Sequence, residues 1–229
     1  MNVIEKKLRE TISILESIQK DLKTAEENQP KPLQGKRILV GIGHARPGDF
    51  GADCVHCSQS TTEYGWNTVI GEHLRDDLQA LGAKVLLLKD YGEVSDNYLS
   101  YSQAMNWVAD QSKIFRSDVA VELHANSAPH EGACGFETLI TGSYKSKILG
   151  SCLQNEMAEL FQSEPNRGVK ERKRSDRGSG FLYRLAAPCA ILEPIFISNK
   201  DSWNRYKNKR QEIASCYSRG IRKYFEQVS

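Results

Sequence analysis

The sequence predicts an α/β fold, a twisted and largely parallel sheet flanked by helices on both faces, preceded by an amphipathic helix at the amino terminus. Three observations carry that expectation. From Arg37 onward, short apolar runs alternate with longer segments of helical periodicity, the pattern of a parallel sheet with crossover helices. The runs "RILVGI", "KVLLL", "DVAVELH" and "CAILEPI" are rich in branched residues and are bounded by glycine, proline or small polar residues. Three of them lead into a histidine or a glutamate, at the sheet edge where open α/β sheets bind ligands.

Taken in order, residues 1–28 carry Ile4, Leu8, Leu15, Ile18 and Leu22, with Thr11 completing alternating spacings of four and three amid Lys, Glu and Gln. That is a heptad-like helical stripe. A lone helix of this length is marginal in water, so its stripe is expected to bury against a second copy, another partner or the rest of the chain. Within "ENQPKPLQGK" two prolines and a glycine interrupt regular structure, which makes 29–36 a linker. Residues 37–229 form the main domain. Its pattern predicts strand "RILVGI", a helix over 62–81, "KVLLL", a helix over 98–113, "DVAVELH", "GFETLI" and a helix over 144–162. An irregular basic loop, the strands "FLYRL" and "CAILEPI", and helices to the end complete it.

Composition narrows the function classes. At 229 residues with 39% hydrophobic and 26% charged, the chain can bury one sizeable core. Thirty-one Lys and Arg against 29 Asp and Glu leave +2, too balanced to make nucleic acid or an anionic membrane the main partner. No apolar run reaches the roughly 18–20 residues of a membrane span, so no stable membrane insertion is expected. The stretch "MNVIEKKLRE" lacks the apolar core of a secretion signal, which points to synthesis in cytoplasm. Four of the six cysteines (134, 152, 189 and 216) fall in apolar or periodic segments and read as free thiols. Cys54 and Cys57 flank His56 in a C-x-x-C, but no second pair follows to complete a zinc knuckle. A redox dithiol or a disulfide is open there; two unrelated thiols is the preferred reading, with no metal.

The chemistry lies at the strand ends. In "DVAVELHANSAP" an alternating strand ends on His124 before loop residues. In "RILVGIGH" glycines let the backbone approach a ligand before His44. Ser60 stands three residues before Glu63 in "STTEYGWNTVI", a capping-box spacing, so Glu63 can be a mere cap. Yet Glu63, Asn67, Ile70 and Leu74 share a helical face, which aims Glu63 inward, where a carboxylate needs a partner. "CAILEPI" ends a buried strand on Glu193, which needs a cleft or an ion pair such as Arg184. Two histidines and one carboxylate can supply the three protein ligands of a catalytic zinc, with a second carboxylate as base. By strand parity, Glu122 shares a face with His124 and can accept from its imidazole or pair with a base.

These segments resemble the zinc-dependent N-acetylmuramoyl-L-alanine amidases known as amidase 3, in order over about residues 37–204. The Gly-His after the first strand is similar to the family's first zinc histidine, here His44. The E-x-x-x-N at Glu63 and Asn67 resembles its ligand glutamate, and "LHANSAP" resembles its H-A-N-A loop with His124 as third ligand. "GFETL", "NRGVKE" and "FLYRLAAPCAILEPIFISNKDSW" are similar to further family segments. The resemblance implies one Zn2+ per chain held by His44, Glu63 and His124, Glu193 as catalytic base, and peptidoglycan as substrate, cut between N-acetylmuramic acid and L-alanine. Asn126, Arg167 and Arg184 become candidate substrate contacts, since the basic stretch 167–184 can hold stem-peptide carboxylates; Glu122 and Asn67 become candidate supports of the metal ligands. A zinc peptidase on the stem peptide and a wall-binding or assembly protein are the alternatives. A substrate in the wall and no visible export signal suggest a phage or prophage endolysin released by lysis, or a separate export route.

Overall fold

The structure is a computed structural model that describes residues 3–27, 30–54, 56–57, 61–92, 99–130 and 132–228. The sheet contains β1 (Arg37–Ile42), β2 (Lys84–Leu88), β3 (Val119–Leu123), β4 (Phe136–Ile140), β5 (Asn166–Glu171) and β6 (Cys189–Glu193), in the spatial order β2-β1-β3-β6-β4-β5. All five residues of β3 and all but the first of β1 are buried, as strands covered on both faces must be. The helices are α1 (Val3–Glu27), α2 (Glu63–Ala80), α3 (Tyr101–Phe115), α4 (Tyr144–Leu160), α5 (Gly180–Arg184), α6 (Lys200–Tyr206) and α7 (Arg210–Val228). Helix α7 packs against both α2 and α4, while α3 packs against α5.

Strands β2, β1, β3 and β6 run parallel, and their register places Ile42 beside Leu123 and Leu123 beside Leu192. The carboxyl ends of β1, β3 and β6 therefore converge on one edge. Strand β4 runs antiparallel to β6, with Glu137 opposite Glu193, so its first residues arrive at the edge where the other strands end. A parallel strand would have needed a crossover helix, and the sequence between β3 and β4 is a short loop.

Three expectations change. Residues 166–171 form edge strand β5, paired with β4, instead of an irregular loop. Half its residues are exposed and none is fully buried, so it carries no alternating apolar signal. "FLYRL" supplies the short helix α5 instead of a strand; it packs against α3 and β6 rather than pairing into the sheet. Helix α2 is capped by Thr62, whose hydroxyl accepts from the Gly65 amide at 3.1 Å. Ser60, the expected cap, lies outside the described residues, as does residue 98, the expected start of the next helix; that helix starts at Tyr101, capped by Ser100.

At the amino terminus the described side chains of α1, those of Lys7 and of residues 9–21, are exposed, including Thr11, Ile12, Ile14, Leu15 and Ile18. The side chains of Ile4, Leu8 and Leu22 lie outside the described residues. The segment after α1 is anchored by Leu33, which is fully buried and whose amide donates to Leu81 O at 2.9 Å.

Candidate active site

Three strands and one helix start deliver the site. Past β1 the Gly43 amide donates to Leu123 O, holding the chain against β3 until it turns at His44, whose φ of 61° is left-handed. That conformation costs a residue with a Cβ of order 1 kcal/mol or more and is found where function over-determines geometry. A Cβ on Gly43 would lie 2.4 Å from Cε1 of His124, so only glycine lets the two histidine-bearing turns meet. Their rings stand 5.1 Å apart and nearly perpendicular.

Glu63, the first residue of α2, fills the space between them. One oxygen lies 2.9 Å from His124 Nδ1 and the other 3.3 Å from His44 Nε2. The same carboxylate accepts from the Ala125 amide at 2.9 Å and the Ala52 amide at 3.1 Å. Burial opposes its charge, but bonds from His124 and then His44 outweigh it and hold the carboxyl well below its ordinary range. Each imidazole is supported on its far side. His44 Nδ1 is 2.8 Å from Asp49, which also holds Arg46 at 2.5 Å. His124 Nε2 is 3.2 Å from Glu122, whose other oxygen accepts from the Tyr91 hydroxyl at 2.8 Å. Burial lowers both histidine pKa values; for His44 it is outweighed chiefly by Glu63, for His124 by Glu122 and Glu63, so both are raised.

Glu193 ends β6 on the same cleft, about 1070 Å³, that His44, Glu63, Glu122 and His124 line. Its Oε2 is out of contact with solvent and has no hydrogen-bond partner among the described residues. Burial pushes the carboxyl up to about 8; His124 pulls it down, and the charges of Glu63 and Glu137 raise it further. Such a group near neutrality is a proton acceptor and donor in waiting.

The ligand atoms of His44, Glu63 and His124 all lie within 4.8 Å of one another. Two imidazoles and a carboxylate, with both imidazoles backed by carboxylates, fit a zinc ion. Asn126 lines the cleft but its amide donates to Glu137 at 3.1 Å, and Arg167 bonds the same carboxylate at 2.5 Å while lying over the Phe196 ring. Arg184 turns to α3, where it bonds Ser102 and Asn106; it is not among the residues lining the cleft and does not form the Glu193 ion pair that the sequence offered. Asn67 is buried on α2, and its amide nitrogen has no hydrogen-bond partner among the described residues. Cys54 and Cys57 are joined as a disulfide, not two separate thiols. Cys134, Cys152, Cys189 and Cys216 are free.

Sequence reasoning missed Asp49, Tyr91 and Glu137, and it passed over Arg46, Arg172 and Arg177 as individual cleft residues. Only Asp49 had a nearby signal, five residues after His44 in a Gly-Pro-rich turn.

Fold and site together define a class: hydrolytic enzymes of α/β architecture, distinct from those built on a serine nucleophile, that gather imidazole and carboxylate groups at the carboxyl edge of a mostly parallel sheet. The chain belongs to the N-acetylmuramoyl-L-alanine amidase family, Amidase_3, which matches residues 38–223, and its activity is hydrolysis of that peptidoglycan amide. The solved CwlD amidase of Clostridioides difficile, in complex with the GerS lipoprotein, is 25% identical with a TM-score of 0.70, covering 84% of this chain and 100% of its own. The catalytic domain of CwlV, an amidase of Bacillus (Paenibacillus) polymyxa var. colistinus, is 20% identical with a TM-score of 0.67, covering 83% and 98%. The catalytic domain of CD27L, an endolysin targeting Clostridia difficile, is 21% identical with a TM-score of 0.66, covering 81% and 96%. No curated protein sequence matches the chain.

Proposed function

We propose that this amidase is a zinc enzyme in which His44, Glu63 and His124 hold the ion and Glu193 is the catalytic base. The observation that carries the reading is the convergence of the three ligand atoms within 4.8 Å beside the unpartnered Glu193 oxygen. When bound, the ion supplies Lewis-acid chemistry, polarising a carbonyl oxygen and acidifying water. A cation held by these three residues would oppose the rise that burial and the charges of Glu63 and Glu137 impose on Glu193, favouring the form of the carboxyl able to accept a proton. Glu193 then takes a proton from the attacking water and delivers it to the departing L-alanine nitrogen as the amide C–N bond breaks. Arg46, Arg172 and Arg177 line the cleft as cations suited to stem-peptide carboxylates.

The test is digestion of purified peptidoglycan with mass spectrometry of the products, alongside elemental analysis of the protein. Free lactyl carboxyl groups together with new L-alanine amino termini are expected at one zinc per chain. Products that keep L-alanine on the muramoyl group would instead identify a stem-peptide peptidase.

The Cys54–Cys57 disulfide supports work in an oxidising compartment outside the cytoplasm. Phage or prophage origin is consistent with that, as is a host enzyme exported by its own route. No helix among the described residues is long and apolar enough to cross a membrane.

Helix α1 is proposed as a self-association element. Exposed Thr11, Leu15 and Ile18 carry the described part of the heptad-like stripe, and two antiparallel copies bring the exposed Lys7 of each opposite the exposed Asp21 of the other. A chain shortened to begin at Pro30 keeps the buried Leu33 and is expected to fold, bind zinc and show half the mass of the full chain by light scattering. Equal monomeric masses would remove the self-association.

A further inference from the structure

Glu122 is a buried carboxylate in the middle of an apolar strand, only 3% exposed, and no step of hydrolysis uses it. Burying an ionised group this deeply is unfavourable unless its oxygens are satisfied. Both are: Oε1 accepts from the Tyr91 hydroxyl at 2.8 Å and Oε2 lies 3.2 Å from His124 Nε2. Tyr91 comes from the segment after β2, on the far side of β1, and is itself 1% exposed. To touch Glu122 on β3 it must pass over β1, and it does so at Gly41, the residue in register with both Leu88 of β2 and Glu122 of β3. A Cβ at position 41 would lie 2.5 Å from the Tyr91 hydroxyl. The Tyr91 amide also donates to Ala45 O at 2.8 Å, which fixes the tyrosine to the turn that carries His44.

We propose that Gly41, Tyr91 and Glu122 act together as a positioning relay across three strands, which fixes His124 as the Nε2–H tautomer so that Nδ1 is left as the ligand atom facing Glu63. Rotation or tautomerisation of His124 would present the wrong nitrogen. Glu122 prevents both by accepting from Nε2, and Tyr91 holds Glu122 in the rotamer that does so. The glycine provides the passage. The inference rests on the zinc reading of His44, Glu63 and His124, and its test separates the two.

Zinc dissociation constants of the full chain are measured by competition with a chromophoric chelator. Glu122→Gln is expected to weaken zinc binding about 10- to 100-fold, the usual effect of removing an outer partner of a ligand histidine. Tyr91→Phe should weaken it by a smaller factor. Gly41→Ala should match Tyr91→Phe, and the double variant should be no worse than either, because both changes remove the same hydroxyl contact. Nitrogen-15 NMR of the histidines in the zinc-loaded protein gives a readout that general destabilisation would not move: wild type shows His124 protonated at Nε2 alone, whereas Glu122→Gln, able to donate from its amide to Nε2, raises the share protonated at Nδ1. A folded Glu122→Gln protein with wild-type zinc affinity and an unchanged His124 tautomer would overturn the relay. So would unchanged affinity in Tyr91→Phe, which decides the matter alone if Glu122→Gln does not fold. Full zinc occupancy in His124→Ala would instead remove the metal reading on which the relay rests.

Discussion

His44 and His124 face one carboxylate from neighbouring strands, yet they are supported in different ways. His124 leaves β3 in extended register, is 18% exposed, and leans on Glu122 and Tyr91, which are buried. His44 sits in a left-handed turn, is 31% exposed, and leans on Asp49 and Arg46, both of which reach solvent. A buried carboxylate has no water to replace a lost partner, so it holds its imidazole rigidly and is costly to disturb. An exposed ion pair is screened and can exchange its partners for water. One half of the centre is therefore built by the sheet and the other by a loop.

The coarsest way to break the comparison is to delete either imidazole. His44→Ala and His124→Ala should each abolish stoichiometric zinc, since three protein ligands leave no redundancy. Retention of one zinc per chain in His44→Ala alone would show that the loop histidine is dispensable and that the sheet half carries the centre.

Glu193→Gln comes next. The amide has the same shape but cannot take the proton, so activity on peptidoglycan should fall about 100- to 10,000-fold while zinc stays bound. Turnover within a few-fold of wild type would assign the base elsewhere.

What the sequence showed of this site follows the same division. Strands β1, β3 and β6 are continuous apolar runs, so their ends, and with them His44, His124 and Glu193, were legible, as was Glu63 from its helical face. Parity even placed Glu122 beside His124. The partners that arrive from loops were not legible: Tyr91 follows β2 and meets Glu122 only because Gly41 opens the way, and no local spacing records a contact across a strand. Arg184 misled for the converse reason. Its position near "CAILEPI" in sequence says nothing of the direction in which α5 points it, and the helix turns it to α3.

Asp49→Asn sharpens the contrast between the two supports. The amide keeps one acceptor oxygen, enough for His44 Nδ1–H but not also for Arg46 on the second side of the carboxylate, so zinc affinity should fall about 10-fold, the low end of effects at such positions. Added salt should weaken wild-type affinity through the same exposed pair, and the asparagine variant should respond less. A larger loss for Asp49→Asn than for Glu122→Gln, measured by the same chelator competition, would reverse the ranking of the two halves.

The smallest effect at the centre should come from a carboxylate buried elsewhere. Glu156 on α4 is 1% exposed and pairs with Arg219, 2.6 Å away, and with Lys223 on α7. Burial raises its pKa, but the bonds from Lys223 and then Arg219 outweigh that and lower it below the ordinary 4.5. A depressed carboxyl stabilises the fold above its unfolded value and loses that contribution as pH falls through the folded one. Glu156→Gln should therefore lower stability at pH 7 by about 1–3 kcal/mol in denaturant unfolding, and the gap should narrow below pH ~4.5 as the wild-type carboxyl takes up its proton. Zinc affinity should not change, because Glu156 touches none of the ligands. If it did fall, buried carboxylates would be acting on the centre through overall stability, and the losses expected of Glu122→Gln could no longer be assigned to His124 without the tautomer measurement.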